Sequence, residues 1–360
     1  PRKGVVAFRQ ALFVGSTLAF LLATSGAASA QTLGYRGELS LSGILSDAPS
    51  GDGQLLARYL PELSFGLPLS DHLAVDGLFS PNLWARHIPS DDGSQESREG
   101  LDAYRAWVRV SSPRFEVRAG LQKISFGAAS VFRPLMWFDQ MDPRDPLQLS
   151  EGVWGVLSRT YLPGNVTAWA WAMQGDGGRK GWEVIPTLED AFEGGGRIQL
   201  PLGPGEVGAT YHHRRFDLEK LGVFPAGALD PDGHEDRMGI DGKWDLEVGL
   251  WLEAVFIRQD ASGLKDRWTR AFSLGTDYTF DVGNGLTVLA EYMLKENPSF
   301  QTFQPPQPMP GEDLGSQGQE SQADPDATDL GQRTELQITS FTANYPFGVL
   351  DRVSLAVYRD

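Results

Sequence analysis

From Leu33 onward the sequence keeps a period of two, and that rhythm limits what the chain can become. In QLLARYLPELSFGLPL (54–69), Leu55, Ala57, Tyr59, Pro61, Leu63, Phe65 and Leu67 share one face. Arg58, Glu62, Ser64 and Gly66 share the other. Alternation sustained over ten or more residues predicts a strand with one apolar and one polar side. It recurs in AYRAWVRV (103–110), RFEVRAGLQK (114–123), FEGGGRIQLPL (192–202), RMGIDGKWDL (237–246), FSLGTDYTF (272–280) and LTVLAEYML (286–294). The glycine run 194–196 falls inside such a strand and is expected to ease sheet curvature.

Connections between these segments alternate in length. SDH (70–72), SSPR (111–114), LPGN (162–165), LGPGE (202–206), DVGNG (281–285) and PFGVLD (346–351) are short turns. Longer acidic or Gly/Pro-rich loops lie between them at 88–99, 125–151, 174–190, 217–235 and 296–334. Short turns at one end and long loops at the other belong to an outer-membrane barrel. Long strands with so charged a face do not suit a soluble sandwich, whereas a closed barrel in lipid satisfies every backbone group without an edge. The expected fold class is therefore all-β, a transmembrane antiparallel β-barrel spanning 31–360. About fifteen strands run from 33–46 to 352–360, and about sixteen are expected in the complete protein. The odd number, and the first residue Pro1 in place of Met, lead us to expect a chain incomplete at both ends.

The first thirty residues read as an export signal. Arg2, Lys3 and Arg9 precede the apolar run 11–23, and Ala28-Ser29-Ala30 matches a small-residue cleavage site, so the mature chain is expected to start at Gln31. The apolar run is shorter than the ~20 residues of a spanning helix. Removing a segment with three basic and no acidic residues takes the formal charge from −16 to −19. So acidic a protein is a poor partner for nucleic acid. There is no cysteine, which excludes disulfides and thiolate metal sites.

The signal segment, strand alternation, turn asymmetry and Tyr/Trp-rich strand ends together resemble the bacterial outer-membrane porin-like proteins, over nearly all of the mature sequence. More narrowly, GLQKISFG (120–127) followed by RPLMWFDQMDPRDPLQLSEGVWG (133–155) is similar to a segment of a porin-like family distantly related to the phosphate-selective and alginate-export barrels. The resemblance implies a cell outer-membrane location. It implies no particular substrate.

The segment 125–151 is the one loop too apolar for plain solvent. Porin-type barrels commonly fold one loop inward, and Phe132, Leu135, Met136, Trp137 and Phe138 are suited to hold it against an inner wall. Arg133, Asp139, Asp142, Arg144 and Asp145 would then form a charged constriction, with Asp139 and its successors facing water. The alternative is that the loop merely plugs or stabilises the barrel. The expected lumen-facing charges are Arg58, Glu62, Arg105, Arg109, Glu116, Arg118, Lys123, Glu193, Arg197, Asp241, Lys243, Glu253 and Glu291. Their mixed signs fit either a hydrated path or paired charges filling the interior.

No catalytic constellation appears. His212 and His213 are adjacent and point to opposite faces of a strand, and His72 lies at the other end from His87 and His234. We expect no enzyme, no cofactor and no catalytic metal. The carboxylate-rich runs 230–236 and 323–329 do not match a calcium loop and read as solvated loops, with calcium bridging to lipopolysaccharide as the alternative. The 296–334 segment reads as a long, disordered extracellular loop. Two functions fit: a passive-diffusion channel for small hydrophilic solutes, or a plugged docking barrel whose long loops bind a partner. The expected partners are outer-membrane lipid, lipopolysaccharide and small solutes, and a homo-oligomer is compatible with the sequence.

Overall fold

The computed structural model describes residues 32–44, 54–89, 95–139, 149–221, 232–261, 267–296, 335–347 and 352–359. The signal segment and nearly all of the 296–334 loop lie outside them. The described chain is all-β, with no α-helix and a single 3-10 turn at Glu219–Leu221. Its strands are β1 (Thr32–Ile44), β2 (Gln54–Ser70), β3 (Leu73–Pro89), β4 (Gln95–Ser111), β5 (Phe115–Gln122), β6 (Val153–Leu162), β7 (Val166–Gln174) and β8 (Phe192–Leu202). They continue with β9 (Gly205–Asp217), β10 (Asp232–Asp245), β11 (Gly249–Ala261), β12 (Arg267–Phe280), β13 (Leu286–Glu296), β14 (Glu335–Pro346) and β15 (Arg352–Arg359). They form one antiparallel sheet in chain order. Sequential neighbours need only hairpins, so the alternating short and long connections follow.

The chain divides into two compact units. One holds β1–β7, most of β8, Met136–Pro201 as a whole and Gly208–Arg215; the other holds Gly127–Leu135, the turn segment Leu202–Val207 and everything from Phe216 on. In each, the usual placement of polar and apolar groups is inverted. Leu33, Leu41 and Leu55 of the first unit are 85%, 76% and 59% exposed, while Glu193 and Arg214 are fully buried. In the second, Ile240, Leu274 and Phe341 are exposed while Glu253, Ser273 and Ser340 are buried. An apolar face this extensive has no stable place in water. It has one in hydrocarbon, where the inter-strand ladder leaves no backbone group without a partner.

The alternation that reveals the strands is broken within β4 in a way the sequence hides. In the β3–β4 ladder Ser80 pairs with Arg105 and Pro81 with Ala103, so Tyr104 has no partner and β4 carries a bulge. On the other side of β3 the ladder lapses between the Tyr59–Leu83 and Leu63–Phe79 pairs, the stretch that holds Pro61 and Pro81. Proline cannot donate to a ladder and is tolerated in sheets at such irregularities.

Three local features depart from or add to the alternating pattern. Within the glycine run 194–196, a Cβ on Gly195 would meet the Tyr211 carbonyl and the Trp171 ring. Trp84 covers Gly100 and Trp251 covers Gly275 in the same manner. Residues 232–236 of the carboxylate-rich run 230–236 are not loop but the start of β10. Leu121 lies on the apolar register with Ala106 and Trp154 yet is buried. Gly120 beside it has φ 120° and sits against the Ala106 carbonyl, so the strand end bends where β5 enters the long loop.

Leu252 remains on the apolar face, flanked by Gly242 and Leu274. Its replacement by Arg should cost roughly 2–4 kcal/mol if the position lies near the bilayer midplane. Urea unfolding of the lipid-folded protein measures this, and a change below experimental error would show that the apolar face does not meet hydrocarbon.

Candidate functional site

The connection from β5 to β6 is built from segments that belong to both compact units. Within the second unit, Gly127–Leu135 lies on the polar face of β11–β13. Glu253 of β11 accepts the backbone N–H groups of Ala129 at 2.8 Å and Leu135 at 2.9 Å. Glu291 of β13 accepts those of Ser130 and Val131 at 3.1 and 3.2 Å, and that of Phe132. It also accepts Trp251 Nε1–H at 3.0 Å and Ser273 Oγ–H at 3.3 Å. The loop turns its donors toward two carboxylates because it forms no ladder of its own, and buried N–H groups without partners are costly. Gly127, with φ 99°, abuts the Glu253 carboxylate so closely that a side chain would displace it.

Within the first unit the loop is held by aromatic packing. The Phe126 ring stacks on Trp171 at 5.5 Å and meets Trp137 edge-on at 5.4 Å. Phe138 meets His212 edge-on at 4.9 Å, and Trp171 donates Nε1–H to His212 Nδ1 at 3.2 Å. The return limb is fixed by Arg105, which donates to the Ser150 carbonyl at 2.8 Å and to its Oγ at 3.1 Å.

A second loop, 175–191 between β7 and β8, packs into the same unit. Lys180 Nζ donates to Glu193 Oε1 at 2.7 Å, and Arg214 Nη1 lies 3.2 Å from the Glu183 carboxylate. Arg214 also donates to the Ile185 carbonyl at 3.0 Å, and Leu188 N–H to the Arg215 carbonyl at 2.9 Å. Gly181 lies against the backbone of Met136 and Trp137, so the second loop braces the first. By residue type alone this segment is an ordinary Gly/Pro-rich loop. The signal was present in paired charges of opposite sense, Lys180 and Glu183 on the loop against Glu193 and Arg214 on the strands, but it is visible only with the strand faces assigned.

The loop residues expected to anchor are buried: Phe132, Leu135, Trp137 and Phe138, with Met136 half-buried. Asp139 differs from expectation, being 1% exposed and 3.9 Å from Lys123 Nζ in place of facing water. Arg133 is half-buried, and Asp142, Arg144 and Asp145 lie outside the described residues. Of the expected lumen charges, Glu62 pairs with Arg36 at 3.2 Å. Glu116 bridges Arg109 and Arg159, each at 3.1 Å. Arg105, Glu193, Glu253 and Glu291 are committed to the loops as described, and Arg197 donates to Thr210 at 2.8 Å. Asp241 is buried, Lys243 is exposed beside Asp245, Lys123 is exposed, and Arg58 and Arg118 are half-buried.

Both loops thus lie on the polar face of the sheet. Solved structures with the same arrangement of strands are OmpT of Vibrio cholerae, at TM-score 0.55 and 12% identity over 92% of this chain and 88% of that one; an anion-selective porin of Comamonas acidovorans, at 0.51 and 14% over 92% and 89%; and OmpF of Salmonella typhi, at 0.50 and 12% over 92% and 90%. The fold is that of outer-membrane porins. No family model matches the sequence, and no curated protein does. In barrels of this fold the apolar face is the outer one.

Replacing Glu291 by Ala should strand several buried N–H groups and cost about 3 kcal/mol. Glu291→Gln keeps one acceptor oxygen and should lose less. Limited proteolysis of lipid-folded protein should show cutting within 127–135 in the Ala variant first. Equal protection in both variants would show that Glu291 does not hold the loop.

Proposed function

We propose that this protein is an outer-membrane channel for passive diffusion of small hydrophilic solutes, exported with its first thirty residues cleaved, and that the 125–151 loop narrows its lumen. The observation that carries the reading is the anchoring of that loop on the polar face, by Glu253 and Glu291 in one unit and by Phe126, Trp137 and Phe138 in the other. A loop that hangs outside a barrel does not need buried carboxylates from two strands to receive its backbone. The narrowing is set by fixed charges and backbone groups, the ordinary means by which pores sort solutes. In this reading Arg133 and Asp139, with Asp142, Arg144 and Asp145, belong to the narrow zone. The activity is transport, not catalysis. Its surroundings are outer-membrane lipid and lipopolysaccharide.

A plugged docking barrel is the second reading, favoured by one observation. Glu193, His212 and Arg214 of the inner wall are wholly buried beneath the two packed loops. Single-channel recording in planar bilayers decides between them. The channel reading expects discrete conductance steps, and deletion of Pro134–Pro146 should enlarge them while barrel assembly survives, because the strands hold the inter-strand hydrogen bonds. A parent protein silent in bilayers that conducts only after the deletion would establish the plug.

A further inference from the structure

Three indoles on the polar face of the sheet are seated in the same way. Trp84 of β3 lies directly opposite Gly100 of β4, Trp171 of β7 opposite Gly195 of β8, and Trp251 of β11 opposite Gly275 of β12. In each pair the Cε2–Cζ2 edge of the ring comes so close to the glycine that a Cβ there would collide with it. Each Nε1–H is fixed by a polar group of the same face: Asp102 Oδ2 at 2.7 Å, His212 Nδ1 at 3.2 Å and Glu291 Oε2 at 3.0 Å. A glycine lets a ring settle onto the backbone, which leaves the opposite ring face turned away from the sheet.

At two of the three, a loop occupies that place. Phe126 stacks on Trp171 at 5.5 Å and Phe138 meets it edge-on at 5.7 Å, so the indole is buried. Trp251 is buried as well, and the Glu291 carboxylate that fixes its Nε1 also receives the loop amides of Ser130 and Phe132. Trp84 is half-buried, and among the described residues no other aromatic ring meets it. Its ring contact is the Arg86 guanidinium, 6.0 Å from the ring centre. The seat that elsewhere holds a loop is here presented to solvent.

The groups around this ring decide what can stack on it. The unpaired Tyr104 shifts the phase of β4, so Asp102, Gly100 and Arg98 share the polar face with Arg105. Re-aiming side chains beside a site is a common role of bulges. Asp102 is exposed and, among the described residues, forms no ion pair. Asn82 lies directly opposite it, and the Asn82 Oδ1 has no partner among the described residues. Beyond the ring, Arg86 lies directly opposite Arg98. Acceptors and guanidinium donors are thus four residues apart, about 13 Å along the strands, with the indole between them. A small anion is repelled at the Asp102 end and a small cation at the arginine end. A neutral ring bearing hydroxyls satisfies both ends, because a hydroxyl donates and accepts, and its C–H face meets the electron-rich face of the indole. We propose that Trp84 is a binding platform for a neutral saccharide, one sugar ring stacked on the indole with hydroxyls donating to Asp102 and accepting from Arg86. This deepens the channel reading and rests on it for its use, since the sugar is then one of the solutes that pass.

The probes are methyl glucoside and the disaccharide cellobiose, observed by saturation-transfer difference NMR with the full chain folded in a detergent that has no sugar headgroup. Saturating the aromatic protons of the protein should reach the C–H protons of one ring face in both probes. Trp84→Ala should weaken the apparent affinity about tenfold. Gly100→Ala should weaken it as well, because the new Cβ pushes the indole off its seat while the ring remains. Sorbitol, which carries hydroxyls without the ring face, should show little transfer, and glucuronate and glucosamine less than the neutral sugars. No transfer in the parent, the result expected if a segment of the chain itself covers Trp84, would overturn the platform. So would transfer unchanged in Trp84→Ala, sorbitol equal to the sugars, or a charged sugar above the neutral ones. Heat-modified gel mobility identifies variants that have not folded; Trp84→Phe, which keeps a smaller ring face and should fall between parent and alanine, then carries the test. In planar bilayers cellobiose should interrupt the current of the parent and not that of Trp84→Ala. A parent that binds the sugars yet never conducts would sink the channel reading and leave the platform in place; a conducting parent with no transfer would do the reverse.

Discussion

A backbone that faces hydrocarbon must find every hydrogen-bond partner within the protein, and the rest of this structure depends on that constraint. It explains why the chain is one uninterrupted antiparallel sheet with partners taken in sequence order. It explains why leucines face outward while glutamates and arginines are buried. It also gives meaning to the irregular patch where Pro61 and Pro81 come together. Donors are missing there in any case, so the ladder loses little by lapsing, and the neighbouring strand absorbs an extra residue at Tyr104.

The same accounting governs the loops. A segment that crosses a sheet face without joining a ladder must bring its N–H groups to something. In the second unit that something is a pair of carboxylates, one on β11 and one on β13. A carboxylate accepts several donors at once and cannot donate, so it suits a cluster of amides better than a hydroxyl or an amide side chain would. In the first unit the loop offers rings instead, and Trp171 serves three ends: it covers Gly195, stacks on Phe126 and donates to His212.

Much of the fold was legible in the sequence because a period of two needs no tertiary information. Strands such as 286–294 and turns such as 281–285 follow from residue type and spacing alone. The anchoring apolar residues of the long loop were legible as well, since Trp137 and Phe138 have no reason to lie together in solvent. Other features depend on contacts between distant residues. The ordering of 175–191 requires Lys180 to meet Glu193 and Glu183 to meet Arg214, and no local pattern announces that. Asp139 looked solvated because Asp142, Arg144 and Asp145 follow it in sequence, whereas in space it is buried 3.9 Å from Lys123. The bulge at Tyr104 was unreadable for a simpler reason: a phase shift of one residue looks like noise in an alternating pattern.

The two ion pairs that fasten the 175–191 loop run in opposite directions, a cation reaching from loop to strand in one and an anion in the other. A membrane voltage does work only on net charge moved through its field, about 2.3 kcal/mol per elementary charge per 100 mV. Lifting Lys180 and Glu183 together moves no net charge, so these fastenings present the electric field with nothing to pull on. The two fastenings are in this respect electrically silent, while Asp176, Arg179, Glu189 and Asp190 leave the rest of the loop acidic.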